Sequence, residues 1–103
     1  MKTLKELQKE ILENKKKHGF NTTDIYQEFC FLYGEVSEAC DAYYKKKNSF
    51  PEELADIAIF LLGISEICNI DLYEEILKKV EINSKRKYKL NSAGVLVKIP
   101  EKK

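Results

Sequence analysis

Between Leu54 and Ile64 the chain reads Leu-Ala-Asp-Ile-Ala-Ile-Phe-Leu-Leu-Gly-Ile, with Asp56 as its one charged residue. Helical positions advance by about 100° per residue, so this run makes a helix that is apolar on every side. Such a helix belongs in a core. In projection Asp56 is flanked by Phe60, Gly63 and Ile67. A buried, unpaired carboxylate is costly, so Asp56 must protonate, pair with a cation-bearing side chain, or hold a metal ion.

The flanking segments extend the helical pattern. A first helix is expected from about Lys2 to Lys17, with Leu4, Leu7 and Ile11 on one stripe, Leu12 beside it, and Gly19 as a left-handed C-cap. A second begins after Thr22 or Thr23, with Asp24 in its first turn, and reaches about Tyr44. Lys45-Lys46-Lys47 then reads as a solvated turn. Ser49-Phe50-Pro51-Glu52 has the form of a capping box with an early proline, opening a third helix that runs to about Cys68. The fourth starts with Asp71 as cap and Glu74 three residues on, and extends to about Tyr88. Asn91-Ser92-Ala93-Gly94 marks a turn, and Val95–Ile99 a short strand or ordered tail. The expected architecture is all-α, an antiparallel four-helix bundle.

At 103 residues the chain has room for one domain, 1–103, with its core at about 19–88 and a tail at 89–103. Eighteen basic and 17 acidic residues give a net charge of +1, without the basic excess of a general nucleic-acid binder. The longest apolar stretch, Ile57–Ile64, is too short to cross a bilayer, and Met1 opens into a charged segment rather than a signal peptide. Neither nucleic acid nor membrane is expected as a partner. Cys30, Cys40 and Cys68 are odd in number, widely spaced and set in apolar runs, which predicts reduced packing residues and a cytoplasmic location. The single histidine, His18, leaves too little imidazole for a zinc site, and without any Glu-x-x-His a di-iron bundle is remote. Metal chemistry in this chain must use oxygen ligands.

The carboxylates fall where solvated ones would not. On the second helix Leu32, Val36, Ala39 and Tyr43 form the apolar face; Glu35 sits at its border between Ala39 and Ala42, and Glu38 lies one step round, beside Phe31 and Ala42. On the third helix Glu53 is flanked by Phe60 and Ile64. Glu35/Glu38 and Glu53/Asp56 are both i,i+3 pairs, each placing two carboxylates one turn apart on one side of a helix. Fourteen residues separate Glu38 from Glu53, room for a helix end, a turn and a helix start. If the two helices pack antiparallel, four carboxylates converge and cannot all stay ionised unaided. A hard divalent cation resolves the conflict, and an all-oxygen shell suits Mg²⁺, with Mn²⁺ as a substitute. Glu-x-x-Glu is ordinarily a solvated face, and Asp56 has an alternative partner in a fourth-helix Lys or Arg.

Lys79, Asn83 and Arg86 stand at i, i+4 and i+7 of the fourth helix, a polar stripe beside Ile76. Arg and Lys suit phosphate oxygens and Asn can donate from its amide, while a basic helix end also satisfies the dipole. Lys85, Lys87 and Lys89 are read in that second way.

Gly34-Glu35-Val36-Ser37-Glu38-Ala39, Glu52-Glu53-Leu54-Ala55-Asp56-Ile57 and Lys79-Val80-Glu81-Ile82-Asn83-Ser84-Lys85-Arg86 resemble the MazG-like all-α nucleoside triphosphate pyrophosphohydrolases over roughly Gly19–Tyr88. The Gly-Glu-Val-x-Glu form is most similar to the deoxycytidine triphosphatase-like branch. The resemblance implies a homodimer or dimer of dimers that cleaves (d)NTP to (d)NMP and pyrophosphate by water attack at the α-phosphorus. It implies Mg²⁺ ligation by Glu35, Glu38, Glu53 and Asp56, with Glu35 or Glu38 assisting catalysis. Lys79, Asn83 and Arg86 would meet the triphosphate, and His18, Asn21, Tyr88 and Phe20 are candidates for base or sugar contacts. Gly34 stands where many members carry a further acid, and the chain has no Trp. The contrasting expectation is a non-catalytic helical dimerisation or nucleotide-binding module, its carboxylates paired structurally with Lys79 and Arg86.

Overall fold

The computed structural model describes residues 1–100. The order is α1 (Leu4–His18), α2 (Ile25–Tyr44), α3 (Phe50–Ile67), α4 (Leu72–Lys85), β1 (Tyr88–Leu90) and β2 (Leu96–Lys98). Two compact units make up the chain, Met1–Leu72 and the stretch from Tyr73 onward.

In the first unit α3 packs against both α1 and α2. Tyr43 meets Phe50 and Phe31 meets Phe60, with ring centroids 5.3 and 6.0 Å apart. Positions descending along α2 therefore face positions ascending along α3, an antiparallel pair. The buried apolar residues are Ala39 and Ala42 of α2 and Leu62 and Ile64 of α3. The small α2 side chains admit α3 closely, and Gly63 is buried where α3 meets α1, with room for a Cβ in ordinary van der Waals contact 3.5 Å from Ile11 Cγ2. Gln8 is buried and fully used, its Nε2 donating to Ile70 O (2.9 Å) and Glu66 Oε1 (3.4 Å) while its Oε1 accepts from Leu72 N (3.0 Å). That side chain ties α1 to the 68–72 turn.

Helix ends differ in detail from the sequence expectations. Gly19 is the left-handed C-cap at φ 76°, donating its N–H to the last carbonyls of α1. Asp24 is the N-cap of α2 rather than a first-turn residue; its side chain accepts from Gln27 N. Ser49 precedes α3, but its backbone is already helical and its side chain makes no capping bond, so the Ser-x-x-Glu box does not form. Proline in the first turn starts α3 without it.

In the second unit α4 stops at Lys85, short of the expected Tyr88, because Tyr88 is committed to a hairpin. Tyr88 pairs with Lys98, Lys89 with Val97 and Leu90 with Leu96, antiparallel. The turn is set by Asn91, whose Oδ1 accepts from Ala93 N and Val95 N, and by Gly94 at φ 77°. The short strand expected within Val95–Ile99 is thus β2; the last three residues of the 89–103 tail lie outside the described residues.

Two expectations about burial are corrected. Leu54, Ile59 and Leu61 of the all-apolar α3 are 49%, 46% and 41% exposed, because α1 and α2 cover only part of its circumference. Cys30, Cys40 and Cys68 are free thiols, as expected, but exposed rather than packed. Among the described residues no helix is long and apolar enough to cross a membrane.

Candidate functional site

The antiparallel α2/α3 pair brings three of the four singled-out carboxylates together. Glu35, Glu38 and Glu53 each offer an oxygen within 4.8 Å of the others. The i,i+3 spacing sets Glu35 and Glu38 on one side of α2, and the Lys45–Ser49 connection returns the chain so that Glu53, in the first turn of α3, meets them. Glu35 and Glu53 are half-buried and Glu38 exposed. Asp56, one turn further along α3, is half-buried and lies outside this three-oxygen set, yet its charge acts on Glu35.

The cluster is electrostatically unresolved. Glu35 Oε2 and Glu53 Oε2 are buried with no hydrogen-bond partner among the described residues. The Glu35 carboxyl is held above its ordinary value of 4.5 by desolvation first, then by the negative charges of Glu38 and Asp56, a hydrogen bond with Glu38, and the charge of Glu53. Buried oxygens without donors, converging from two helices, fit a hard divalent cation with carboxylate ligands. They do not fit an internal salt bridge, which would satisfy those oxygens.

A pH dependence follows. With Glu35 raised in the folded chain, the native state binds a proton more tightly than the unfolded one. Metal-free protein is therefore expected to lose stability as pH rises from 4.5 through the raised Glu35 pKa, and excess Mg²⁺ or Mn²⁺ to reverse that loss, since cations bind the ionised form. Thermal melts from pH 4.5 to 8 with EDTA or metal at matched ionic strength check this; identical profiles would contradict it.

The basic stripe is only partly kept. Lys79 and Asn83 lie on α4, but the helix ends before Arg86, whose Nη1 donates to Asn83 Oδ1 at 2.8 Å. Lys79 is exposed and Arg86 half-buried. Tyr88 stands in β1 and is exposed. His18 closes α1 with its ring 6.0 Å from that of Phe20. Asn21 is a structural and lining residue at once: Oδ1 accepts from Thr23 N and Asp24 N, and Nδ2 donates to Asp24 O (2.8 Å) and Glu28 Oε2 (3.1 Å).

Asn21 leads to residues that the sequence reading missed. A cavity of about 710 Å³ opens between α1, α2 and α3, walled chiefly by Leu7, Ile11, Phe20, Phe31, Ile59 and Phe60. Its polar lining includes Lys15, Glu28 and Asn21. Glu28 is 1% exposed and ion-paired with Lys15, whose Nζ also lies 5.3 Å from the Phe60 ring centroid. The available signal was spacing: Glu28 precedes Glu35 by seven residues, two turns on the same face of α2. Lys15 carried no such signal, because it opens the run Lys15-Lys16-Lys17 at a helix end.

No family model matches the sequence, and no curated protein matches it. Among solved structures the chain is similar to the cyanophage S-2L MazG-like pyrophosphohydrolase, described as bound to dGDP and three catalytic Mn²⁺ ions per active site. That likeness has a TM-score of 0.72 and 25% identity, covering 97% of this chain and 100% of the other. The chain shares the fold of that MazG-like pyrophosphohydrolase over nearly its whole length and carries an acidic cluster on α2 and α3.

Proposed function

We propose that the protein is a Mg²⁺-dependent nucleoside triphosphate pyrophosphohydrolase, with Mn²⁺ able to substitute, releasing (d)NMP and pyrophosphate. The observation that carries this reading is the acidic cluster, with two buried oxygens lacking any donor, on the fold of a structure bound to dGDP and Mn²⁺. Glu35, Glu38, Glu53 and Asp56 hold the metal. Bound divalent cations supply positive charge against the phosphates and acidify water, so that little covalent chemistry is left to the protein. Glu35 or Glu38 takes the proton of the water that attacks the α-phosphorus. The P–O bond to the β-phosphate breaks and pyrophosphate leaves, its charge stabilised by Lys79 and Arg86, with Asn83 orienting Arg86.

The cavity beside the cluster supports a nucleoside subsite. Its volume lies in the ordinary range for small-molecule sites, and Phe31 and Phe60 connect it along α2 and α3 to the carboxylates. Asn21 lines it, and His18 stands at Phe20; with Tyr88 these are the proposed base and sugar contacts. Exposed apolar residues on α3 and α4, among them Leu54, Ile59, Ile76 and Leu77, support a homodimer or dimer of dimers. Free thiols support a cytoplasmic setting.

Phosphorus NMR of products from a dNTP and NTP panel tests the reading. Monophosphate plus pyrophosphate, abolished by EDTA, is the expected result. Diphosphate plus orthophosphate would mean cleavage at the γ-phosphate, and no turnover of any nucleotide would favour a non-catalytic module.

A further inference from the structure

The second helix carries an apolar stripe that its own core does not use. Tyr26, Tyr33 and Cys40 recur every seven residues, and Phe29 and Val36 follow the first two by three. That is the spacing of a coiled-coil seam, and Tyr44 ends it in the last turn of α2. At about 100° per residue the stripe lies well round the helix from Glu28, Ala39 and Ala42, the buried residues of α2. Tyr26, Tyr33 and Tyr44 are 86%, 71% and 83% exposed. Cys30, Ser37 and Cys40 are exposed beside them. Single apolar residues in water are ordinary, but a stripe running the length of a 20-residue helix marks an interaction surface.

Its size and pattern fit a second copy of the same helix. Phe and Tyr bury about 150–250 Å² each, so the exposed parts of Tyr26, Phe29, Tyr33 and Tyr44 present about 550 Å² per chain. Cys30, Val36, Ser37 and Cys40 bring this toward the roughly 800 Å² that each partner gives to a stable interface. In an antiparallel pair centred on the helix, Tyr26 faces Tyr44 of the other copy, Cys30 faces Cys40, and Tyr33 faces Ser37. The central tyrosine ring is thus set against a small side chain, and two-fold symmetry repeats the contact. A shift of one heptad leaves a tyrosine uncovered at each end. A parallel pair gathers Lys45, Lys46 and Lys47 of both copies and aligns the helix dipoles. The antiparallel pair instead sets those lysines beside the end capped by Asp24.

We propose that α2 is a self-association face, on which two copies of the chain pair antiparallel through the Tyr26–Tyr44 stripe. This rests on the self-association proposed above and names its face; it does not depend on the nucleotide chemistry. Glu35 and Glu53 stay clear of the contact, because their cluster forms where α2 meets α3.

Light scattering after gel filtration, together with thiol cross-linking, tests the assignment. Wild-type protein is expected at two or more times the 12.0 kDa mass of one chain. Tyr33→Lys, with circular dichroism matching wild type, should halve that mass, its pairing weakened about 100-fold. Ser37→Lys is the second variant: it places a charge in the same contact while lysine suits a helix better than serine, so the fold is kept. A short bis-maleimide should join Cys30 of one copy to Cys40 of the other. Within one copy those thiols are ten residues apart, about 15 Å along the axis, beyond such a linker. Cys30–Cys30 and Cys40–Cys40 products in its place would mean a parallel pair and overturn the assignment. Unchanged mass in both variants, without the Cys30–Cys40 product, would overturn the α2 face and leave self-association through another face standing. A wild type that stays at 12.0 kDa removes both.

Discussion

Glu35→Gln is expected to lower turnover by about 10²–10³-fold while leaving the metal-free fold as stable as wild type, or more so. The two halves of this result come from one cause. Glu35 is desolvated and surrounded by Glu38, Asp56 and Glu53, so its ionised form is uphill in the folded chain. An amide of the same shape removes that repulsion, and without metal the fold gains. With metal the same substitution removes a charged ligand from a site whose other oxygens need the cation. Saturation to 100 times Kd should stabilise wild type by about 2.7 kcal/mol, and that increment should shrink in Glu35→Gln. Asp56→Asn is the companion: it stands outside the tightest three-oxygen set, so unimpaired hydrolysis in this variant would remove Asp56 from the ligands. Full activity in Glu35→Gln would overturn the site as a whole. Rates, together with thermal melts in EDTA and in Mn²⁺, read both halves.

The second large effect falls on stability. Lys15→Met is expected to cost about 3–5 kcal/mol, because it leaves the Glu28 carboxylate buried with Asn21 as its one remaining donor among the described residues. In a domain whose total stability is about 5–15 kcal/mol this is a large fraction. The double variant Lys15→Met/Glu28→Leu should recover much of the loss, since replacing both members of a buried pair by apolar groups removes the unpaired charge. A double-mutant cycle by urea denaturation measures the coupling. Additive losses would mean that the two side chains do not depend on each other, contrary to their contact.

Elements governed by local chemistry were readable from the residues. Gly19 ends α1 because a left-handed backbone there needs no particular tertiary partner, and the Asn91–Gly94 turn follows from side-chain bonds within five residues. Glu35, Glu38 and Glu53 were likewise legible, because helical periodicity alone puts them on apolar borders and a short connection brings the helices together. Where a local signal competed with a tertiary one, the local reading failed. Ser49 has the composition of a capping box, yet its backbone is already helical as the chain turns from α2 into α3. The periodicity of α4 runs on toward Tyr88, but strand pairing with Lys98 takes that residue out of the helix.

The sequence by itself determined the all-α character, the helix order and the acidic motifs, all of which depend on spacings of three to seven residues along one chain segment. Only the tertiary structure decided which face of α3 is covered, that Asp56 stands apart from the three nearest oxygens, and that Lys15 from α1 meets Glu28 from α2. The physical reason is the range of the interaction. A lysine at the end of a helix looks identical in sequence whether it is solvated or buried against a carboxylate, and the difference arises only when α1 packs on α3 and brings Lys15 against Glu28.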